Sequence, residues 1–403
     1  MIPITKPQIG EEEIQAAAQA LRSGWVSQGP RVAEFEQAFA DYVGAPHACA
    51  VSSCTTALHL ALLSVGVHPG DEVITVSHSF IATANSIRYC GALPVFVDIE
   101  PDTFNLDPAR LEFAITERTK AILCVHQMGM PCDLAQITAI AAGHGLPVIE
   151  DAACAIGSEI RVGDAWERIG KPHGDIACFS FHPRKVITTG EGGMLTTRNP
   201  EWDAQFRLLR QHCMSVPDTK RHASAEVIFE GYPAVGYNYR MTDMQAAVGC
   251  EQLNRLPEIV DKRRQLAASY QELLEPIRGL GLPREPVWAR SNWQSYCVRL
   301  PEAADQKRVM QRMLDTGVAT RRGIMCSHRE GAYAGEGWTC TTRLKGRCDC
   351  SPGTCAELAH SEQAQDHCIV LPMFPQMTHH EQGQVVDALR RALADEPKPT
   401  HSS

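Results

Sequence analysis

Short runs of apolar and mostly β-branched residues recur through the first half of the chain. Neither face of such a run is consistently polar, which is typical of strands that are buried on both faces. We predict strands at 72–76, 93–97, 121–125, 147–149 and 176–181, and a helix from Leu134 to His144 between two of them. Buried strands that alternate with helices predict an α/β fold with a mostly parallel sheet covered by helices.

The second half of the chain has longer helical stretches. Thr242, followed three residues later by Gln245, is a capping-box signal for the start of a helix, and residues 258–274 keep helical spacing. Residues 292–300 predict a strand, and residues 381–394 predict a closing amphipathic helix. We therefore expect a large domain at 1–245 and a smaller C-terminal α/β domain at 246–403, which includes a cysteine-rich insertion at 338–357.

The composition is that of an ordinary globular protein. Of 403 residues, 44% are hydrophobic and 21% are charged, with a formal net charge of -9. The negative charge disfavours nucleic acid or anionic lipid as a partner. No apolar run is long enough to span a bilayer, and the first residues lack the apolar core of a secretion signal. We expect a cytoplasmic protein that acts on small molecules.

The sixteen cysteines fall into two groups. Most stand alone inside apolar runs and are expected to be reduced thiols in the core. Four others, Cys340, Cys348, Cys350 and Cys355, crowd into one polar stretch. They could offer thiolates to zinc or to an iron–sulfur cluster, or they could be free thiols of a surface insertion. Their spacing matches no established motif, so none is assigned here as a metal ligand.

The segment from Ser52 to Ala61 is a candidate phosphate site. Small hydroxyl residues end a strand there and open a helix. The free backbone N–H groups of a helix N-terminus bind phosphate, and the Thr55 hydroxyl can add to them. An ordinary serine or threonine cap is the alternative interpretation of the same residues.

An acidic pair, Glu150 and Asp151, ends the apolar strand predicted at 147–149. Ligands of α/β sheets bind at the carboxyl ends of the strands, and a buried aspartate there needs a cationic partner. The protonated ring nitrogen of pyridoxal phosphate (PLP) is one such partner. A helix cap is the alternative role for Asp151.

The strongest candidate for chemistry is Lys185. It follows the strand that ends in Ser180 and the turn residue Pro183, and it precedes a glycine-rich bend at 190–193. A lysine in a partly dry pocket can lose its proton and form a Schiff base, and glycines let the backbone pass close to a ligand. An isolated surface lysine would lack this surrounding pattern.

Together these segments resemble the DegT/DnrJ/EryC1/StrS family of PLP-dependent aminotransferases, often called sugar aminotransferases. The resemblance extends from about Ile4 to about Leu393 and is interrupted near 338–357. It is carried by residues 24–30, 53–58, 79–85, 150–153, 180–193 and 236–243. It implies PLP as cofactor, the fold type I architecture of aspartate aminotransferase, and a homodimer with shared active sites.

The resemblance also implies roles for individual residues. Lys185 corresponds to the Schiff-base lysine and Asp151 to the partner of the ring nitrogen. The freed lysine would act as general base and acid. Glutamate or glutamine would be the amino donor, and a keto-sugar, either nucleotide-linked or phosphorylated, or a keto-cyclitol would be the acceptor.

The remaining implied cofactor ligands surround these two residues. Ser180 and Thr55 correspond to phosphate ligands, together with the backbone N–H groups of Cys54 and Thr55. Phe80 corresponds to the aromatic residue that stacks on the cofactor. Asn238 corresponds to the residue that reaches the phosphate in the neighbouring subunit.

Two departures from the family pattern are cysteines. Position 54 often holds glycine or alanine, and position 154 often holds histidine or glutamine. Substrate-contact segments of the family also correspond to the regions around the following residues: Trp25, Arg210, His212, His328 and Arg329.

Two other functions remain open at this point. One is a PLP-dependent sugar dehydratase, with or without an iron–sulfur cluster, although related dehydratases replace the Schiff-base lysine by histidine. The other is a regulatory protein that kept the fold. The lysine at position 185 disfavours the dehydratase, and the presence of both Lys185 and Asp151 disfavours the regulatory protein.

Overall fold

The chain folds around an eight-stranded mixed sheet covered by helices. The structure is a computed structural model, and it describes residues 1–216, 221, 224–335, 337–344, 346, 350 and 353–394. Among these residues no helix combines the length and the apolar character needed to cross a membrane.

The helices of four or more residues are α1 (Glu11–Ser23), α2 (Pro30–Val43), α3 (Cys54–Ser64), α4 (Ala82–Tyr89), α5 (Leu111–Ala114), α6 (Leu134–His144), α7 (Pro200–Leu209), α8 (Asp243–Leu274), α9 (Gln306–Asp315), α10 (Thr341–Leu344), α11 (Ala359–His367) and α12 (His379–Ala394). The strands are β1 (His47–Val51), β2 (Glu72–Val76), β3 (Leu93–Val97), β4 (Thr119–Val125), β5 (Val148–Asp151), β6 (Glu159–Val162), β7 (Ala165–Arg168), β8 (Ile176–Ser180), β9 (Gly193–Thr197), β10 (Ala289–Arg290), β11 (Tyr296–Arg299), β12 (Arg321–Arg322), β13 (Thr339–Cys340) and β14 (Cys368–Leu371).

The large sheet has the strand order β1-β9-β8-β5-β4-β2-β3-β13. Only β9 runs antiparallel to its neighbours among the described strands of this sheet, and it pairs with both β1 and β8. One apolar cluster packs on each face of the sheet, and a third lies between β11, β14 and the helices of the C-terminal half. The predicted α/β class with a mostly parallel sheet is confirmed.

Most predicted elements form within two residues of their predicted bounds, with two larger differences. The helix predicted at 258–274 is the second half of α8, which runs through Pro257. The strand predicted at 292–300 is shorter, β11 at Tyr296–Arg299, because Trp293 has a left-handed backbone with φ 51°. The division into domains at 245/246 falls inside α8 and stays a prediction.

The insertion at 338–357 contacts the large sheet directly. Its strand β13 pairs in parallel with β3, so that Thr339 lies opposite Val95 and Cys340 lies opposite Phe96. The insertion therefore adds the edge strand of the sheet.

A buried ion cluster fixes α2 against the β1 region. Glu36 is 6% exposed, accepts the Ala50 N–H at 2.9 Å and pairs with the guanidinium groups of Arg207 and Arg210. Arg210 is itself only 4% exposed. Burial acts to raise the pKa of Glu36, but the two arginines outweigh it and hold that pKa below its ordinary value.

Replacing this carboxylate is expected to destabilise the fold. Glu36→Gln leaves Arg210 buried without a counter-ion, which should cost about 3–5 kcal/mol in urea unfolding. Because the pKa is lowered on folding, the carboxylate's stabilisation is complete above the ordinary value of 4.5 and is lost as the pH falls below it. The variant should therefore lose part of the wild-type protein's acid dependence.

The matched control is Glu34→Gln. Glu34 lies on the same helix and pairs with Arg31, but both side chains are more than 40% exposed. A stability change of at most about 1 kcal/mol is expected for such a surface pair. Equal losses in the two variants would contradict the assigned role of Glu36.

Candidate active site

The candidate site lies where strand ends of the large sheet meet the N-terminus of α3. Strand β5 ends in Asp151, β8 ends in Ser180, and β9 begins at Gly193 opposite Ser180. A Cβ atom on Gly193 would lie 2.4 Å from the carbonyl carbon of Ser53. Only glycine fits there, since the backbone before α3 passes directly over this position.

The first turn of α3 offers donors to an anion. Ser53 caps the helix, since its hydroxyl accepts the Thr56 N–H at 3.2 Å and its own N–H donates to the Thr56 hydroxyl at 3.1 Å. The N–H groups of Cys54 and Thr55 lie in the first turn, where no carbonyl of the helix can accept them. The serine is therefore a cap, and phosphate binding by the next two amides stays a prediction that the cap does not exclude.

Asp151 is buried at the end of β5. Its Oδ2 accepts the Thr83 hydroxyl at 2.8 Å, and its Oδ1 accepts the Ala153 N–H at 3.2 Å. Strand β5 continues into turns, with no helix at the following residues. The helix-cap alternative is therefore wrong for Asp151, and its carboxylate lies in a site that suits a cationic group.

The neighbouring acid, Glu150, fixes the end of β5 from the other face. Its two oxygens accept the N–H of Gly174 at 2.8 Å and Nε2 of His126 at 2.9 Å. His126 Nδ1 accepts the Cys132 N–H at 2.9 Å, so the ring proton lies on Nε2 and is donated to Glu150. These contacts hold the strand end rigidly beneath Asp151.

Lys185 enters the site from a turn after β8. Its N–H donates to the His182 carbonyl at 2.8 Å, and its amine donates to Cys154 Sγ at 3.1 Å. Burial of the amine lowers the pKa of Lys185, but Cys154, Asp151 and Cys54 raise it more, so the net shift is upward. The sequence predicted that Lys185 loses its proton in a dry pocket. With the net shift upward, that loss requires a weaker attraction between the amine and these neighbouring groups.

The structure brings most of the predicted residues together. Cys54 Sγ lies 3.9 Å from Asp151 Oδ1 and 3.5 Å from the Cys178 carbonyl, and Ser180 pairs with Gly193 beside α3. Phe80 is 61% exposed just before α4.

Asn238 lies apart from these residues, in an exposed loop. Its described contacts are with Gln211 and Arg240, and the next residue, Tyr239, accepts the Ser52 N–H at 2.8 Å. No hydrogen bond described in this chain joins Asn238 to Lys185 or Asp151, which is consistent with an action in another subunit.

Three of the residues near family substrate-contact segments are engaged within the protein. Arg210 pairs with Glu36, His328 lies between Ser77 at 2.6 Å and Glu362 at 3.0 Å, and Arg329 pairs with Asp366. Trp25 lines a surface cavity together with Gln211, Met214 and neighbouring residues. His212 has a left-handed backbone with φ 61°.

Two residues of the site were not predicted to act there. Thr83, on α4, accepts the Ser79 hydroxyl at 2.7 Å and donates to Asp151, and Cys154 is the nearest described partner of the Lys185 amine. Thr83 lies inside the 79–85 segment that carried the resemblance, which was the available signal. Cys154 was noted only as a departure from the family.

Removing the Thr83 hydroxyl is expected to impair the reaction without unfolding the protein. Thr83→Val keeps the shape but removes the donor to the Asp151 carboxylate, and a hydrogen bond to a charged group contributes about 1.5–3 kcal/mol. We expect kcat/KM to fall about 10- to 100-fold. Thr138→Val, which removes a hydroxyl bound to the Leu134 carbonyl on α6, should leave kcat/KM unchanged.

The site offers one partner for each part of the expected cofactor. The buried carboxylate suits a cationic ring nitrogen, the lysine amine suits an aldehyde, and the free amides at the helix N-terminus suit a phosphate. The site therefore fits PLP, and with the α/β sheet it defines a PLP-dependent enzyme of the aminotransferase class. The comparisons agree: the chain belongs to the DegT/DnrJ/EryC1/StrS aminotransferase family, whose model matches residues 7–390.

Individual relatives cover most of the chain. The spore coat polysaccharide biosynthesis protein SpsC of Bacillus subtilis (strain 168) is 44% identical over 301 residues, which cover 75% of this chain and 76% of SpsC. The GDP-perosamine synthase of Caulobacter vibrioides is 43% identical over 340 residues, which cover 83% of this chain and 87% of that enzyme. The PMP form of Spr1654 from Streptococcus pneumoniae superposes with a TM-score of 0.88 at 26% identity and covers 98% and 100% of the two chains. A PLP form of Spr1654 also matches.

Proposed function

We propose that this aminotransferase moves an amino group from glutamate or glutamine to a nucleotide-linked keto-sugar. The observation that carries the proposal is the arrangement of Lys185, Asp151 and the α3 N-terminus at one end of the sheet. The sugar acceptor is supported by the relatives, since one is named for polysaccharide biosynthesis and another for a GDP-linked amino sugar. A keto-sugar phosphate and a keto-cyclitol are the other acceptor classes to be compared.

Each group of the site has a task in this proposal. PLP supplies an aldehyde that binds amines and a ring that takes up electrons. The amides of Cys54 and Thr55, with the Ser180 hydroxyl, would hold its phosphate, and Phe80 would stack on its ring. The exposed Phe80 ring provides a face for such stacking.

Asp151 would pair with the ring nitrogen and keep it protonated. The carboxylate is already oriented by Thr83 and Ala153, so little reorganisation is needed when a cation approaches. Pairing with that cation would also weaken the attraction of Asp151 for the Lys185 amine. The raised pKa of Lys185 would then fall, which favours the neutral amine that bonds to carbon and moves the substrate proton.

We also propose that the working enzyme is a homodimer with shared sites. Asn238 is exposed, and its loop carries large apolar side chains that are also exposed: Val227, Phe229, Tyr232 and Val235. Exposed apolar side chains in one segment are typical of an interface. Asn238 of one subunit would reach the phosphate in the other subunit.

The proposal is tested by assaying the PLP-loaded protein with glutamate or glutamine and a keto-sugar panel. The panel contains nucleotide-linked, phosphorylated and cyclitol ketones, and mass spectrometry detects the aminated product. We expect amination of a nucleotide-linked ketone and none with Lys185→Ala. Lys171→Ala removes an exposed lysine paired with Glu167 and is the matched control.

Two outcomes would contradict the proposed acceptor or reaction. Amination of a phosphorylated or cyclitol ketone alone would replace the acceptor class and leave the aminotransferase assignment intact. Loss of water from the sugar without gain of nitrogen would indicate the dehydratase.

A further inference from the structure

We propose that the cysteine-rich insertion is a structural zinc site formed by Cys340, Cys350 and Cys355. Their sulfur atoms all lie within 4.8 Å of one another. The Sγ of Cys350 is 3.9 Å from that of Cys340 and 3.0 Å from that of Cys355. In a tetrahedral site with zinc–sulfur bonds of about 2.3 Å, two sulfur ligands are about 3.8 Å apart. Each distance between two of these sulfur atoms therefore has to change by about 1 Å or less for the three to hold one ion.

The ligands come from segments that the rest of the protein fixes. Cys340 ends β13 on the edge of the large sheet, and it is fully buried. Cys355 is 2% exposed, and its N–H donates to Glu362 at 2.6 Å. The Gly353 carbonyl, two residues earlier, accepts Nε of Arg329 at 2.9 Å. Fixed ligand backbones lower the cost of ordering a site when the ion binds.

The surroundings of the sulfur atoms also suit a structural ion. Phe96, Trp338 and Leu358 form a small apolar cluster around Cys340 and Cys355. Trp338 Nε1 donates to the Tyr333 carbonyl at 2.9 Å, and the Tyr333 hydroxyl donates to Asn85 on α4 at 2.9 Å. An ion at this place would fasten the insertion to β3 and α4, and α4 carries Thr83 of the active site.

A single ion fits better than an iron–sulfur cluster. Thiolates that bind different irons of a cluster are held apart by the cluster itself, whereas these three sulfur atoms could all contact one ion. Zinc is the divalent metal that proteins most often hold with thiolates in small closed structural sites. Cys348, the other cysteine of this stretch, lies outside the described residues.

The zinc-binding form is the reduced protein. Cys350 is disulfide-bonded in the structure. A dithiol would return this bond to two thiols by donating two electrons and would itself become a disulfide. Each thiol that binds the ion then releases its proton to solvent.

The test measures zinc in the full-length protein, purified and dialysed with a dithiol present. We expect about one zinc ion per chain in the wild type, and loss of that zinc in Cys340→Ser and Cys355→Ser. Cys250→Ser is the matched control, since Cys250 is a partly buried free cysteine on α8 outside the cluster. This control should retain the zinc.

A second measurement covers the case in which the cluster variants fail to fold. Cobalt(II) is titrated into reduced, zinc-free wild-type protein, and we expect the visible absorption of a tetrahedral cobalt–thiolate site at one equivalent. The proposal is overturned if the reduced wild type binds neither metal, if folded Cys340→Ser and Cys355→Ser retain full zinc, or if iron occupies the site instead. None of these readouts depends on the proposed aminotransferase reaction.

Discussion

Lys185→Ala should lower kcat by at least about 10⁴-fold, because the lysine is expected both to bond covalently to the cofactor and to move the substrate proton. The amine lies 3.1 Å from Cys154 Sγ, and Asp151 also acts on its pKa. No other lysine among the described residues makes a hydrogen bond within this site. The kcat is measured with glutamate and the acceptor identified from the panel.

Controls separate loss of chemistry from loss of structure. Lys185→Ala should keep the unfolding midpoint of the wild type to within a few degrees, since a half-buried side chain is shortened without opening a large cavity. Lys171→Ala should keep full activity. A Lys185→Ala enzyme that retained even about a hundredth of the wild-type kcat would be difficult to reconcile with both assigned roles.

Asp151→Asn is the second prediction with a large effect. The substitution keeps the size of the side chain but removes the negative charge, and its single amide oxygen can accept from only one of the two donors, the Thr83 hydroxyl or the Ala153 N–H. Loss of a preorganised electrostatic contact to a developing charge lowers kcat about 10²- to 10³-fold. We expect a decrease of this size, together with a lower pKa of Lys185, because its anionic neighbour is gone. Steady-state kinetics over a pH series measure both effects.

Asp175→Asn is the matched control for Asp151. Asp175 Oδ2 accepts the Val148 N–H at 2.8 Å, at the opposite end of β5. Asp151 lies on β5, and Asp175 lies just before β8 and bonds to the first residue of β5, so both variants remove a carboxylate that contacts β5 and a similar change in stability is expected. A similar decrease in kcat for the two variants would mean that Asp151 acts through the fold rather than on the cofactor.

The fold was largely predictable because the buried strands have continuous apolar sequences. Strands β2 and β3 form at the predicted residues, and α6 begins and ends where its spacing indicated. Strand β9 was not predicted, since it begins at Gly193 inside what the sequence presented as a glycine-rich bend. Strand β13 is two residues long, which is too short for any periodic pattern to reveal.

The residues of the candidate site could be predicted where neighbouring residues in the sequence indicate their chemistry. The contacts between distant residues could not be predicted in this way. Lys185 and Asp151 were identified from the segments around them. The Thr83–Asp151 hydrogen bond joins residues 68 positions apart, and Lys185 and Cys154 are 31 apart. Such contacts form only when the fold brings distant strands and helices together, and the local sequence does not show which of them become neighbours. The sequence also offered no information on the charge balance that raises the pKa of Lys185.

The most direct test of the account is to identify the residue that carries the cofactor. The purified protein is incubated with PLP and reduced with borohydride, which fixes the cofactor to its lysine, and the peptides are mapped by mass spectrometry. We predict a single phosphopyridoxyl label on Lys185, and none there when glutamate has first converted the cofactor to its amine form. A label on another lysine, or no label without glutamate, would contradict the assignment of this site.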